Sequence, residues 1–315
     1  MTSKERLSLL ARVLITLGLL GSLLWKIDLT QLSTRFRALS LEGTTLAFAA
    51  VGAAILISAW KWGWILRTRH HPLPFATLLR LYFVGLFFNN VLPTSVGGDA
   101  VRAWETTKET GEVPEAIGSV VSERLIAGVA LGFTALLGLP FIAADAHTVQ
   151  LVLVFLLIDV ALVGLFLVPR VADGIVAKTL PDRFAMVKGL VANTVQVVRE
   201  TMRHPLLFGG ILFLSIVFQL FVAGVNAAIF HALGAQVSFA HCVIFTPMIF
   251  TVAMLPISIS GFGVREAAYW YFFSRVGVSE ADAVAASILF FLIVGISSLP
   301  GAPLYVFAKS SLKAA

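Results

Sequence analysis

The residues best suited to chemistry in this chain lie in two short stretches. Leu92-Pro93-Thr94-Ser95-Val96-Gly97-Gly98-Asp99-Ala100-Val101-Arg102 is echoed by Leu255-Pro256-Ile257-Ser258-Ile259-Ser260-Gly261-Phe262-Gly263-Val264-Arg265, with six of eleven positions identical at an offset of 163. Each stretch supplies the same parts. Proline ends a helix, because it lacks a donor and restricts the residue before it. Gly97 and Gly98, like Gly261 and Gly263, permit a tight reversal and a close backbone approach. Ser95 and Ser258 can cap the helix that restarts there. A helix start carries free N–H groups and the positive end of the dipole, which attract an anion. Arg102 and Arg265 add a full charge and a planar fork that suits phosphate. The expected chemistry is therefore anion binding, with Arg102 and Arg265 holding the ligand in turn from opposite sides of a cavity.

Further polar residues fall where hydrocarbon is expected. Glu123 and Arg124 sit about two turns inside an apolar run, and Asp159 sits near the middle of the next one, with Arg124 its expected partner. Ionisable groups inside a membrane are costly and functional by default. Asp99 is placed to orient Arg102 at i,i+3 spacing, and Glu266 to orient an arginine across the repeat. Asn89 and Asn90 precede the first Leu-Pro, where the second copy has Val252 and Ala253.

The elements that must position these residues are apolar helices. Of the 315 residues, 58% are hydrophobic and only 13% charged, and the mean hydropathy is +0.94. Soluble domains carry roughly a quarter charged residues. The pattern is that of an all-α polytopic membrane protein; a barrel would show alternating strands of about ten residues. Full spans are expected at 7–25, 44–66, 116–143, 149–168, 207–232 and 282–308, about six in all. The first carries no small-x-small cleavage site and reads as a retained span or signal anchor. Two segments, 75–92 and 240–257, are short and end at the Leu-Pro; they read as re-entrant helices. Residues 28–42 resemble a surface amphipathic helix.

The whole chain, 1–315, reads as a single membrane domain with halves at approximately 44–143 and 207–308. Three full crossings separate the two motifs, so the halves form an inverted-topology repeat. Residues 169–206 carry six Lys/Arg against three acids, which places this basic loop and both termini in the cytoplasm. Cys242 is expected near the outer mouth of the second short segment, within reach of small impermeant maleimides.

Several classes are excluded. The net charge of +6 belongs to loops meeting anionic headgroups, not to nucleic acid. A single cysteine rules out an internal disulfide and a cysteine metal cluster. The histidines show no ligand spacing, and no GxxxxGK[ST] is present. No metal, other cofactor or catalytic residue is expected. Glu280 and Asp282 are the one acidic pair able to suggest a metal, and a helix N-cap turn explains them as well.

The motifs LPTSVGGDAVRAW, SERL and LPISISGFGVREAA resemble the lysylphosphatidylglycerol synthase transmembrane region, the flippase-like domain of the multiple peptide resistance proteins. The resemblance covers nearly the whole chain. It implies translocation of an anionic, aminoacylated or glycosylated lipid between leaflets of a prokaryotic inner membrane, with a separate lipid-synthesising enzyme as a partner. Larger members carry a C-terminal aminoacyl-transferase domain, whereas this sequence ends at VFAKSSLKAA, after its last span. The competing expectations are a membrane-embedded lipid-linked glycosyl or phosphoryl transferase, and a non-catalytic partner of a lipid synthase.

Overall fold

In hydrocarbon only a helix satisfies every backbone N–H and C=O within one segment, and the long apolar runs fold accordingly. The computed structural model describes residues 18, 21, 29–92, 94, 96–142, 145–167, 185–254, 257–258 and 260–311, and these contain helices and no strand. In chain order they are α1 (Leu29–Arg37), α2 (Leu41–Thr68), α3 (Phe75–Val91), α4 (Gly97–Thr110), α5 (Val113–Gly138), α6 (Ala146–Leu167), α7 (Ala185–Arg203), α8 (Pro205–Ala232), α9 (Phe239–Met254), α10 (Val264–Ser274), α11 (Glu280–Ser298) and α12 (Gly301–Ser311). Among the described residues, four stretches are long and apolar enough to cross a membrane: Leu41–Thr68, Val113–Phe141, Pro205–Ala232 and Glu280–Phe307. The apolar part of α6, Ala146–Ala161, is shorter. Of the expected span at 7–25, only Gly18 and Gly21 lie among the described residues.

Two short apolar helices turn back on themselves. α3, 17 residues or about 25 Å long, is followed by α4, which runs antiparallel against it. Near the tip, the Gly98 N–H donates to Asn89 Oδ1 at 2.9 Å; at the open end, Arg80 Nη2 donates to Glu109 Oε1 at 2.5 Å. The approach is so close that a Cβ at Gly98 would stand 2.0 Å from the Gly85 carbonyl oxygen. α9 and α10 form the second hairpin. Gly261 packs on Ala253 at its tip, and Phe245 meets Phe272 and Phe273 with centroids 5.5 Å apart toward its open end.

The long helices hold these hairpins. α2 packs along α8, closest where Gly43 meets the Ala232 backbone, and Gly301 at the start of α12 closes onto Phe83 of α3. Helices in lipid associate through such close packing and hydrogen bonds, because lipid tails offer no hydrophobic drive. Residues 169–206 are not a loop throughout: α7 occupies 185–203, and its Val197, Val198 and Met202 are buried. At this end Arg69 donates to Glu115 through Nε at 2.8 Å and to Glu200 through Nη1 at 2.6 Å. Hydrogen bonds from Gln196 and then Arg69 hold the Glu200 carboxyl below its ordinary range.

Cys242 corrects an expectation. It is fully buried in the packed interior of α9, one helical turn into the hairpin and facing the bundle. Impermeant maleimides are therefore expected to leave it unlabelled in folded protein and to label it after denaturation, a difference mass spectrometry reads directly. Labelling of the folded protein would contradict this packing.

Candidate functional site

The first hairpin, α2 and α5 assemble a cluster of five charged side chains, four of them buried. Arg124 on α5 grips Asp99 on α4 with both arms of its fork, Nε to Oδ2 at 2.7 Å and Nη2 to Oδ1 at 3.1 Å. Arg102, one turn along α4, approaches Glu123 Oε2 to 2.7 Å and lies only 3.6 Å from Asp99 Oδ1. Glu123 has a second cation: Lys61 Nζ on α2 stands 3.4 Å from its Oε1. Lys61 also donates to Ser215 Oγ on α8 at 3.2 Å. The apolar surroundings join in, with the Arg102 guanidinium 4.7 Å from the Trp62 ring and 5.1 Å from the Tyr82 ring. Such cation–π contacts strengthen when desolvated.

The cluster borders a central cavity of about 320 Å³. Its walls come from α2 (Val51, Ile55), α3 (Tyr82, Leu86), α5, α8, α9 and α11. The lining is mainly apolar, broken by Arg124, Tyr82 and Gln219. Arg124 is the charged residue on that lining; its side chain is 47% exposed while its partner Asp99 is 11% exposed. The cavity thus sees one guanidinium edge, backed by the other four charges.

The second motif forms a smaller, closed unit. Arg265 Nη2 donates to Glu266 Oε1 at 2.6 Å, and Ser287 Oγ on α11 bridges the pair, accepting from Arg265 Nε and donating to Glu266 Oε1, each at 3.0 Å. The other oxygen of Glu266 accepts the Gly263 N–H at 2.6 Å, capping α10. Phe262 and Phe291 cover the guanidinium at 5.4 and 5.1 Å. Nearby, Tyr269 donates to Asn226 Oδ1 at 2.5 Å, and Asn226 Nδ2 donates to Thr246 Oγ1 at 3.1 Å.

Several expectations are revised by this geometry. The two helix starts do not present empty anion sites, because Asp99 and Glu266 each stand at the third helical position and bring a carboxylate of their own. Arg102 and Arg265 are 3% and 8% exposed, are not among the residues lining the cavity, and are each paired with a carboxylate. Glu266 binds its neighbour Arg265 instead of reaching across the repeat. Asp159 does not meet Arg124; its Oδ2 has no hydrogen-bond partner, and Asp99 has taken the arginine. The aligned motifs also fold differently. α4 begins at Gly97, but in the second copy Ser260, Gly261 and Gly263 take positive φ of 50°, 77° and 81°, delaying α10 to Val264. Ser258 is buried with no hydrogen-bond partner for its hydroxyl. Ser95 lies outside the described residues. Ser279 caps α11 by accepting the Asp282 N–H at 3.1 Å, while the Asp282 carboxylate accepts from Ser279 and pairs with Arg35 at 2.9 Å.

Lys61 went unmarked among the sequence candidates, although the rule that singles out Glu123 also applies to it. It is a charged residue about two turns from the end of a 28-residue apolar helix. Tyr82 and Ser287 gave no such signal, since a tyrosine or serine in a span is ordinary.

A helical bundle with charges buried beside a central cavity, walled by two reversing hairpins, defines an integral membrane protein. The chain matches the family of the lysylphosphatidylglycerol synthase TM region over residues 9–301, and it belongs to that family. It is also similar to the UPF0104 membrane protein PH1989 of Pyrococcus horikoshii, at 22% identity over 302 residues, covering 88% of this chain and 90% of the relative.

Proposed function

We propose that this protein translocates a polar lipid between the leaflets of the prokaryotic cytoplasmic membrane, without itself catalysing a covalent reaction. The observation that carries the reading is the central cavity, whose apolar walls surround the single exposed guanidinium of Arg124. A headgroup bound there has a charge partner, while its acyl chains stay in hydrocarbon.

The same reading takes both hairpins as re-entrant and the two halves as inverted repeats. Support comes from where the hairpins open. The ends of the first lie beside the C-terminal end of α2, where Arg69 joins Glu115 and Glu200. The ends of the second lie beside the start of α2, where Gly43 meets Ala232 and α9 soon follows. The first end carries Arg67, Arg69, Arg80, Lys108, Arg199 and Arg203, the composition of a cytoplasmic face. Both termini are placed on that side, and a separate enzyme would supply the lipid.

The test is translocation of headgroup-labelled lipid in liposomes holding only the purified protein. Parent protein is expected to move the label, and Arg124→Gln to lose about tenfold in rate, the order of a lost charge-assisted hydrogen bond. No movement by the parent of any anionic, aminoacylated or glycosylated lipid would refute the proposal.

A further inference from the structure

The charge balance of the cluster singles out a ligand. Lys61, Arg102 and Arg124 face Asp99 and Glu123: three cations against two carboxylates leave one positive charge. Lys61, Arg102, Asp99 and Glu123 are all buried. Glu105, also buried on α4, is paired with Lys108, and Asp159, buried on the neighbouring helix α6, has no cation within ion-pairing distance among the described residues. The four buried charges balance one another, so the unmatched positive charge falls on Arg124, whose side chain is 47% exposed, and one further negative charge completes the cluster. Arg124 on the cavity wall is where it can arrive.

Arg124, however, already holds a carboxylate in the two-pronged manner a phosphate uses. The arrangement also contains a second place for that carboxylate. Asp99 Oδ1 is 3.6 Å from Arg102 Nη2, and Arg102 Nε is buried with no hydrogen-bond partner. Its contact with Glu123 is ionic, 2.7 Å without hydrogen-bond alignment. Glu123 can rely on Lys61 at 3.4 Å. Moving Asp99 from Arg124 to Arg102 therefore fills an unmet donor and frees the guanidinium that faces the cavity.

We infer that Asp99 is a built-in stand-in for the ligand's anion, and that the ligand is a lipid whose headgroup carries one compact negative charge, a phosphodiester with no further charged group. This rests on the translocation reading and names its substrate class. With such a ligand on Arg124, Asp99 on Arg102 and Glu123 on Lys61, every charge of the five-residue cluster is matched. A headgroup with a second negative charge overshoots the balance, and a zwitterionic one supplies no net charge. Asp99 sets the affinity by competition: the apparent affinity is the intrinsic one multiplied by the fraction of time Arg124 is free.

The inference makes an inverted prediction, since removing a carboxylate from the site should improve it. Thermal unfolding in detergent is followed with added phosphatidylglycerol, phosphatidylcholine or glycerophosphoglycerol, the headgroup without acyl chains. Phosphatidylglycerol is expected to stabilise the parent more than phosphatidylcholine does, and Arg124→Gln to abolish the difference. Asp99→Asn is expected to bind phosphatidylglycerol about tenfold more tightly, if Asp99 holds Arg124 nine-tenths of the time. A response to glycerophosphoglycerol as well identifies the phosphodiester itself as the determinant; a response to phosphatidylglycerol alone makes the acyl chains part of the site. An Asp99→Asn protein that stays folded only in phosphatidylglycerol also supports the inference. Weaker phosphatidylglycerol binding by Asp99→Asn, or unfolding in both lipids alike, overturns it. These binding outcomes stand apart from the liposome assay: weaker binding by Asp99→Asn with translocation by the parent retained removes the stand-in and leaves the transport reading intact, whereas absent translocation with the binding pattern preserved removes transport alone.

Discussion

Glu123→Gln is expected to destabilise the protein by about 3–5 kcal/mol, the cost of leaving buried charge uncompensated. Glu123 is the shared anion of two cations from different helices, Arg102 on α4 and Lys61 on α2. Its loss leaves three cations facing Asp99 alone. The surface pair Arg80–Glu109 supplies the control: its partners are 22% and 36% exposed, and Glu109→Gln is expected to cost at most about 1 kcal/mol. Unfolding midpoints in detergent compare the two. Lys61→Met added to Glu123→Gln should recover part of the loss, because it removes one orphaned charge and keeps an apolar stem beside Phe218, whose ring lies 5.1 Å from the ammonium. Equal midpoints for Glu123→Gln and Glu109→Gln would show that the cluster is solvated and not a buried network.

The second large effect is expected from a single methyl group. In Gly98→Ala the new Cβ would meet the Gly85 oxygen at 2.0 Å, the Asn89 nitrogen at 2.5 Å and Asn89 Cγ at 2.6 Å. Two of these are backbone atoms of α3 and cannot swing aside, so α3 and α4 must separate. Overpacking commonly costs 1–3 kcal/mol, and here the shift also pulls Asp99 and Arg102 away from α5. Gly98→Ala is therefore expected to lose folded protein together with lipid movement. Gly224→Ala is the matched comparison, since nothing lies within 4 Å of its Cβ position; it should stay within about 0.5 kcal/mol of the parent. Yield after size-exclusion chromatography and the unfolding midpoint read both. A Gly98→Ala protein as stable as the parent would mean that the two helices do not pack so closely.

Much of this architecture was legible in one dimension. Long apolar runs give α2, α5, α8 and α11 with its continuation, because length and hydropathy alone decide what can cross about 30 Å of hydrocarbon. The two short apolar helices stop at Val91 and Met254, just ahead of the prolines in the sequence, since proline cannot continue a helix. Asp99, Arg102, Glu123 and Arg124 were all identifiable as costly charges, and they do come together.

Which charges would meet was not legible. Sequence spacing suggested Arg124 with Asp159 on the next helix, yet Arg124 turns to Asp99. It suggested Arg102 and Arg265 as the ligand's hands, yet both are buried and paired with carboxylates. It suggested that Cys242 is accessible, yet its side of α9 packs inward.

The sequence by itself determined that this is a helical membrane protein of the lysylphosphatidylglycerol synthase TM region family, where its helices break, and which charges must be buried. These are local properties: a run's length, a proline's missing donor, a lysine's desolvation cost. Only the tertiary structure decided that Lys61 completes the cluster, that Arg124 alone among its cations faces the cavity, and that Asp99 is the carboxylate Arg124 grips. Ion pairing depends on how each helix is rotated about its axis and how closely it approaches its neighbour. Those two quantities are set by contacts such as Gly98 on Gly85, between residues whose separation along the chain says nothing about which face meets which.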